Sequence, residues 1–200
     1  MRPQPLQDLL DAAHTAFLAK ARDPDATASL SRIFAALESP GMVSDTPGGR
    51  LPTCTYLGQG ADPQKFDDPL LARLVQTFLS LEPNLKWGPR KGDCTNAGPG
   101  FAENHANALI FGPGGYERRT DVWLGVSLIA PKIRYPDHSH PPEETYLVLS
   151  PGRFMQGADN WSEPGTGGTL YNSPGILHAM GSDASPLFAF WALWADPHKG

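Results

Sequence analysis

Twelve consecutive residues bring imidazoles, carboxylates and phenols together: Tyr135-Pro136-Asp137-His138-Ser139-His140-Pro141-Pro142-Glu143-Glu144-Thr145-Tyr146. A further histidine, His178, follows a Gly/Pro turn downstream. In a strand, positions i and i+2 share a face. His138 and His140 therefore point the same way if extended. Glu144 and Tyr146 have the same parity, beyond the Pro141-Pro142 kink. If that parity faces an interior, two imidazoles, a carboxylate and a phenol converge there, and His178 joins from a neighbouring strand. Two or three imidazoles with one carboxylate form a set that holds a divalent metal and leaves coordination positions open. Open positions are what a catalytic metal needs. His-x-His alone also fits two loop histidines beside prolines, with Glu144 in a salt bridge. The added Glu144, Tyr146 and His178 weigh against that, because so polar a cluster is costly to bury without a use. The spacing leaves two readings of the histidine pair. Both ligate one ion, or one lines the pocket as a second base.

The elements that must position these groups follow from periodicity. Leu6, Leu9, Leu10, Ala13 and Phe17 recur at helical spacing over residues 5–20. Asp23-Pro24 and Asp68-Pro69 are helix starts, with Asp as N-cap and Pro at the first helical position. Leu30, Ile33, Phe34 and Leu37 continue the first of these; Leu70, Leu71, Leu74, Val75, Phe78 and Leu79 continue the second. Residues 41–64 read as a long loop with a short strand near Cys54–Leu57. Residues 84–118 are irregular and glycine-rich, and Ala108–Phe111 opens the barrel. From Asp121 the period becomes two. Segments 122–129, 144–150, 152–157, 168–172, 176–181 and 187–195 are strand-length and bounded by Gly, Pro, Asp or Ser. The first of them is apolar on both faces, as in a strand covered on both sides. Strands at this cadence without intervening helices predict an antiparallel barrel or sandwich. The expected organisation is a mostly helical N-terminal extension over 1–107 packed on a mainly β barrel over 108–200, one compact domain in all.

The bulk properties agree. The 200 residues contain 21 glycines and 21 prolines, which favours many short strands joined by tight turns. The formal charge of −5 and the absence of a basic stripe argue against a nucleic-acid partner. No apolar run approaches the ~20 residues of a membrane span. Cys54 and Cys94 are the only cysteines and do not form a Cys-x-x-Cys pair, so a reducing cytoplasm is the simplest compartment. A monomer or a homodimer fits equally.

His138-x-His140-x-x-x-Glu144 followed by Gly152 resembles the first signature of the cupin superfamily, with one extra residue before the glycine. Gly167, Gly175 and His178 resemble the second. Ser173 stands where proline is usual, and Ser182 replaces the closing asparagine. Tyr135, the run Pro-x-Glu-Glu-x-Tyr-Leu-Val-Leu-Ser, Trp161 and the helical first half resemble the cupin dimethylsulfoniopropionate lyases of the DddQ type. That resemblance implies a double-stranded β-helix barrel and a lyase releasing dimethyl sulfide and acrylate. It implies one divalent metal on His138, His140, Glu144 and His178, with Tyr146 as the base and Tyr135 as a mobile tyrosine at the pocket mouth.

The chemistry is consistent with that implication. A cation near the substrate carboxylate stabilises the charge formed when the α-proton leaves, and a nearby metal makes a phenolate accessible at neutral pH. The sulfonium suits an aromatic face. Trp123, Trp191 and Trp194 are the candidates, although Trp191 and Trp194 have opposite strand parity. The donor set suits Fe(II) and Zn first, then Mn, Ni and Co. Two other readings keep the fold: an oxygenase, isomerase or decarboxylase acting on a small carboxylate, or a non-catalytic binding module.

Overall fold

The computed structural model describes residues 1–158 and 160–195, so the last five residues of the expected 108–200 barrel lie outside it. Four helices are present among the described residues: α1 Gln4–Lys20, α2 Pro24–Ala36, α3 Leu57–Gly60 and α4 Pro69–Leu81. The Asp-Pro starts work as read. Asp23 accepts from the backbone N–H groups of Asp25 and Ala26, and Asp68 from that of Leu70. The short strand expected at Cys54–Leu57 is absent. Residues Pro52–Tyr56 form a 3-10 turn that runs into α3. Pro52 opens that turn, and the three-residue spacing of Cys54 and Leu57 buries both of them. A strand would have pointed them to opposite faces.

Among the described residues there are eleven strands, in chain order β1 Met42–Val43, β2 Trp87–Gly88, β3 His105–Gly112, β4 Glu117–Arg118, β5 Val122–Ile129, β6 Glu143–Val148, β7 Arg153–Gln156, β8 Asn160–Ser162, β9 Thr169–Asn172, β10 His178–Gly181 and β11 Leu187–Trp194. The larger sheet has the order β1-β4-β3-β5-β11-β6-β9, with β2 added on β3. The smaller has the order β10-β7-β8. All pairings are antiparallel except β3 with β4. β3 begins at His105, and β1 and β2 precede it, so strand structure reaches back before residue 108.

The larger sheet has an apolar surface on each side. Val122, Leu124, Val126 and Leu128 of β5, with Phe188, Phe190 and Ala192 of β11, join the buried residues of α1, α2 and α4 in one core. The alternate residues Ile129, Leu187, Ala189, Tyr146 and Val148 meet Phe154 and Met180 of the smaller sheet in a second core, the barrel interior. This double burial is why β5 and β11 read as unbroken apolar runs. The result is a cupin-type barrel with helices covering its larger sheet.

The smaller sheet gains an irregular edge. Arg134 bridges to Gly181 and His138 to His178, so the segment between them runs antiparallel to β10. Arg2 and Glu117 form a buried ion pair, in which the Arg2 guanidinium donates to both Glu117 carboxylate oxygens.

Candidate metal centre

His138 and His140 do not lie on a regular strand, which corrects the strand-parity argument for them. Prolines 136, 141 and 142 deny the segment its backbone donors and its continuity. A different device aligns the histidines. His138 and His178 exchange two backbone hydrogen bonds, 2.9 and 2.8 Å long. Directly opposed residues in an antiparallel pair project from one face, and the two ring centroids are 3.9 Å apart. His140 is anchored separately, its carbonyl accepting from Gly175 N–H at 2.9 Å. Gly175 has φ of +74°, a turn conformation that glycine adopts without strain.

Each imidazole is also oriented from behind. Nδ1 of His138, His140 and His178 lies 2.9, 2.8 and 2.9 Å from the carbonyls of Pro136, Pro142 and Ile176. A carbonyl can only accept, so each Nδ1 carries the proton and each Nε2 presents a lone pair. The three ligand atoms lie within 4.8 Å of one another. Glu144, on β6, completes the cluster. Its Oε2 is 3.2 Å from His178 Nε2 and 3.5 Å from His140 Nε2. Asn172 of β9, directly opposite in register, donates to the same oxygen at 3.1 Å. Gln156 in turn donates to Asn172 Oδ1 at 2.8 Å.

The donor set fits a metal ion on an observation of its own. His178 Nε2 is buried and has no hydrogen-bond partner. Lone pairs on Nε2 facing a carboxylate oxygen repel unless a proton or a cation stands between them. Burial alone would raise the Glu144 carboxyl, but His140 and His178 beside it outweigh that and hold it well below the usual carboxylate range. Burial opposes charging of His140, and the Glu144 carboxylate overcomes it, so His140 binds a proton more readily than an ordinary histidine. His138 is driven the other way, down to about 3, by burial and then by His178. Without a cation the cluster thus keeps a proton beside Glu144, which a bound ion would displace.

Tyr146, two residues from Glu144 on the same face of β6, is buried. Its phenol is pushed well above its ordinary range, first by burial and then by the Glu144 charge. Trp191 of β11 lies directly opposite Tyr146, and its ring occupies the space over Gly125, where a Cβ would be 2.6 Å from the indole. Trp191 Nε1 donates to Ser127 Oγ at 3.0 Å. Trp123 faces the same interior, in the register row that runs through Leu193 to Glu144, and its buried Nε1 has no partner. Trp194 does not join them. Its opposite parity turns it to the helix side, packed on that core with the Arg32 guanidinium 6.0 Å from its ring centroid. The expectation that Trp194 contacts substrate is therefore withdrawn.

Tyr135 is likewise not at a mouth. It is 4% exposed, edge-on to Phe101 and His105, with its ring centroid 5.1 Å from that of His138. Its hydroxyl lies 3.3 Å from Asn107 Nδ2 and 3.4 Å from Arg90 Nη1. Arg90, Asn107, Ser127 and Asn172 were not among the residues singled out by sequence. Asn107 and Ser127 had a usable signal: each is a polar residue in an apolar strand, and they are cross-strand partners.

Fold and centre together define a cupin-type barrel whose three-histidine group can hold a metal ion. The sequence model of the dimethylsulfoniopropionate (DMSP) lyase family matches residues 25–189, and the chain belongs to that family of carbon–sulfur lyases. Its structure is similar to that of DMSP lyase DddQ from Ruegeria pomeroyi DSS-3, at a TM-score of 0.73 and 21% identity over 100% of this chain and 95% of that one. It is also similar to a structure from the work on DMSP lyases RdDddP and RnDddQII, at 0.71 and 20% over 98% and 95%. A cupin-2 domain of Rhodospirillum rubrum matches partially, at 0.45 and 14% over 57% of this chain and 72% of that one. No curated protein matches the sequence.

Proposed function

We propose that this lyase is metal-dependent and cleaves dimethylsulfoniopropionate to dimethyl sulfide and acrylate by β-elimination, with Tyr146 as the base. The observation that carries the reading is the set of three imidazoles whose Nδ1 atoms are tied to backbone carbonyls, leaving their Nε2 atoms to converge beside Glu144, with Tyr146 next on the same strand face. His138, His140, His178 and Glu144 are the proposed ligands. A divalent ion there, Fe(II) or Zn first and Mn, Ni or Co also suited, would supply positive charge beside the substrate carboxylate and the phenol.

Tyr146 Oη takes the α-proton. The C–H electron pair becomes the C=C bond of acrylate, and the Cβ–S bond breaks with its pair on sulfur, so neutral dimethyl sulfide leaves. Glu144 disfavours the phenolate while its charge is uncompensated, so the base and the ligand set are functional only together. Trp191 and Trp123 offer π faces on the interior side for the sulfonium. Tyr135, held beside His138, bounds the pocket from the edge of the smaller sheet.

The test is release of dimethyl sulfide from dimethylsulfoniopropionate by purified protein, with and without each divalent metal. Tyr146→Phe is expected to lose about 10²–10⁴-fold in rate, the usual size of a general-base contribution, with metal content unchanged. Silence of the wild-type protein with every metal would sink the lyase reaction proposed here.

A further inference from the structure

We propose that Arg90 is the residue that recognises the carboxylate of the substrate, from the side of the centre where Tyr135 packs beside His138. The inference rests on the substrate class proposed above and adds a specific site to it.

Four observations converge on Arg90. Among the described residues, no carboxylate forms an ion pair with it, and the other arginines without one, Arg22, Arg73 and Arg118, are exposed whereas Arg90 is half-buried. Its Nε is buried and has no hydrogen-bond partner. Its guanidinium lies over the Tyr135 ring, 5.3 Å from the centroid, and that ring is 5.1 Å from His138. Its Nη1 reaches the Tyr135 hydroxyl, which also meets Asn107 on the interior face of β3. A guanidinium partly withdrawn from water, with an unused N–H, is unfavourable unless an anion completes it. Its planar fork fits a carboxylate with two parallel hydrogen bonds.

The surroundings fix this arginine for the task. The Arg90 backbone N–H donates to His105 Nε2 at 2.7 Å, and His105 Nδ1 is held by the Phe101 carbonyl at 3.2 Å. His105 stacks on Phe101 with centroids 4.0 Å apart. The main chain at Arg90 is thus clamped to a buried ring, and only the side chain is free to meet a ligand. The Tyr135 hydroxyl faces two donors, Asn107 Nδ2 and Arg90 Nη1. Both of its lone pairs are engaged, so its own proton is turned away from them and is available to the same carboxylate.

The experiment separates the two ends of the substrate. Metal-loaded protein is titrated calorimetrically with propionate, which has the carboxylate and no sulfonium, and with dimethylpropylsulfonium, which has the sulfonium and no carboxylate. Arg90→Gln is expected to weaken propionate about 10-fold or more, the scale of a lost hydrogen bond to a charged group, and to leave dimethylpropylsulfonium unchanged. With dimethylsulfoniopropionate, KM is expected to rise by the same factor while kcat changes less than about three-fold, as for an interaction equal in ground and transition states. Arg90→Lys restores part of the affinity. Equal loss for both probes, or for neither, would overturn the proposal. So would a loss in Tyr135→Phe that matches Arg90→Gln and is not increased in the double variant, because Arg90 would then act only by holding Tyr135. A wild-type protein that releases no dimethyl sulfide defeats the lyase reading, yet the propionate titration still decides whether Arg90 binds a carboxylate.

Discussion

At the residue scale, the centre depends on atoms that no metal would touch. Asn172 is fully buried, and its amide donates to the Glu144 oxygen nearest the histidines. Asn172→Leu is expected to weaken metal binding about 10–100-fold, the usual effect of removing a partner of a ligand, with the fold retained; calorimetric titration of the metal-free protein with zinc checks it. Gly125 has a steric role. A Cβ there would lie 2.6 Å from both the Trp191 ring and the Ala108 carbonyl oxygen. Gly125→Ala is expected to destabilise the protein by about 1–3 kcal/mol, read as a lower denaturation midpoint, and to shift the Trp191 fluorescence. The proposed ligands and Tyr146 were legible because their chemistry is unusual at any spacing. Arg90 was not. Its meaning arises only where the loop before β3, the edge segment at Tyr135 and β3 itself meet, and no local pattern records that meeting.

At the scale of elements, helices were read correctly where a local signal and a tertiary need agreed. Asp23 both starts α2 and caps it through Asp25 and Ala26. Asp23→Ala is expected to cost about 1 kcal/mol, measurable by urea unfolding with an unchanged m value. The segment Cys54–Leu57 was misread because its β-branched and aromatic residues suggest a strand, while burial of Cys54 and Leu57 on one side requires a turn. The edge carrying His138 was misread in the same sense. Alternation suggested a regular strand, whereas prolines reduce it to two bridges, at Arg134 and His138. The parity argument nevertheless held on β6, a complete strand, and on β11, where it turns Trp191 and Trp194 to opposite faces.

For the whole molecule, acid is expected to act first through histidines that the fold keeps neutral. Burial pushes His105 down from 6.5 to about 4. A depressed histidine leaves the unfolded chain binding the extra proton between those values, so its contribution is intact above about 6.5 and is lost as pH falls toward 4. The denaturation midpoint is expected to fall over that window, and less steeply in His105→Asn. A midpoint that stays level from pH 7 to 4.5 would contradict this. The ion pair between Arg2 and Glu117 gives the molecule a history as well as a stability. Its partners are 115 residues apart. At a synthesis rate of about 5–20 residues per second, Arg2 waits roughly 6–23 s for Glu117 to be made. Throughout that interval α1 can fold locally but cannot be fastened to β4. The residues before α1 are therefore tied to the sheet only after β4 exists, although α1 can already pack on α4 once residue 81 is made, and the helical layer closes over the barrel only once the strands that it covers exist.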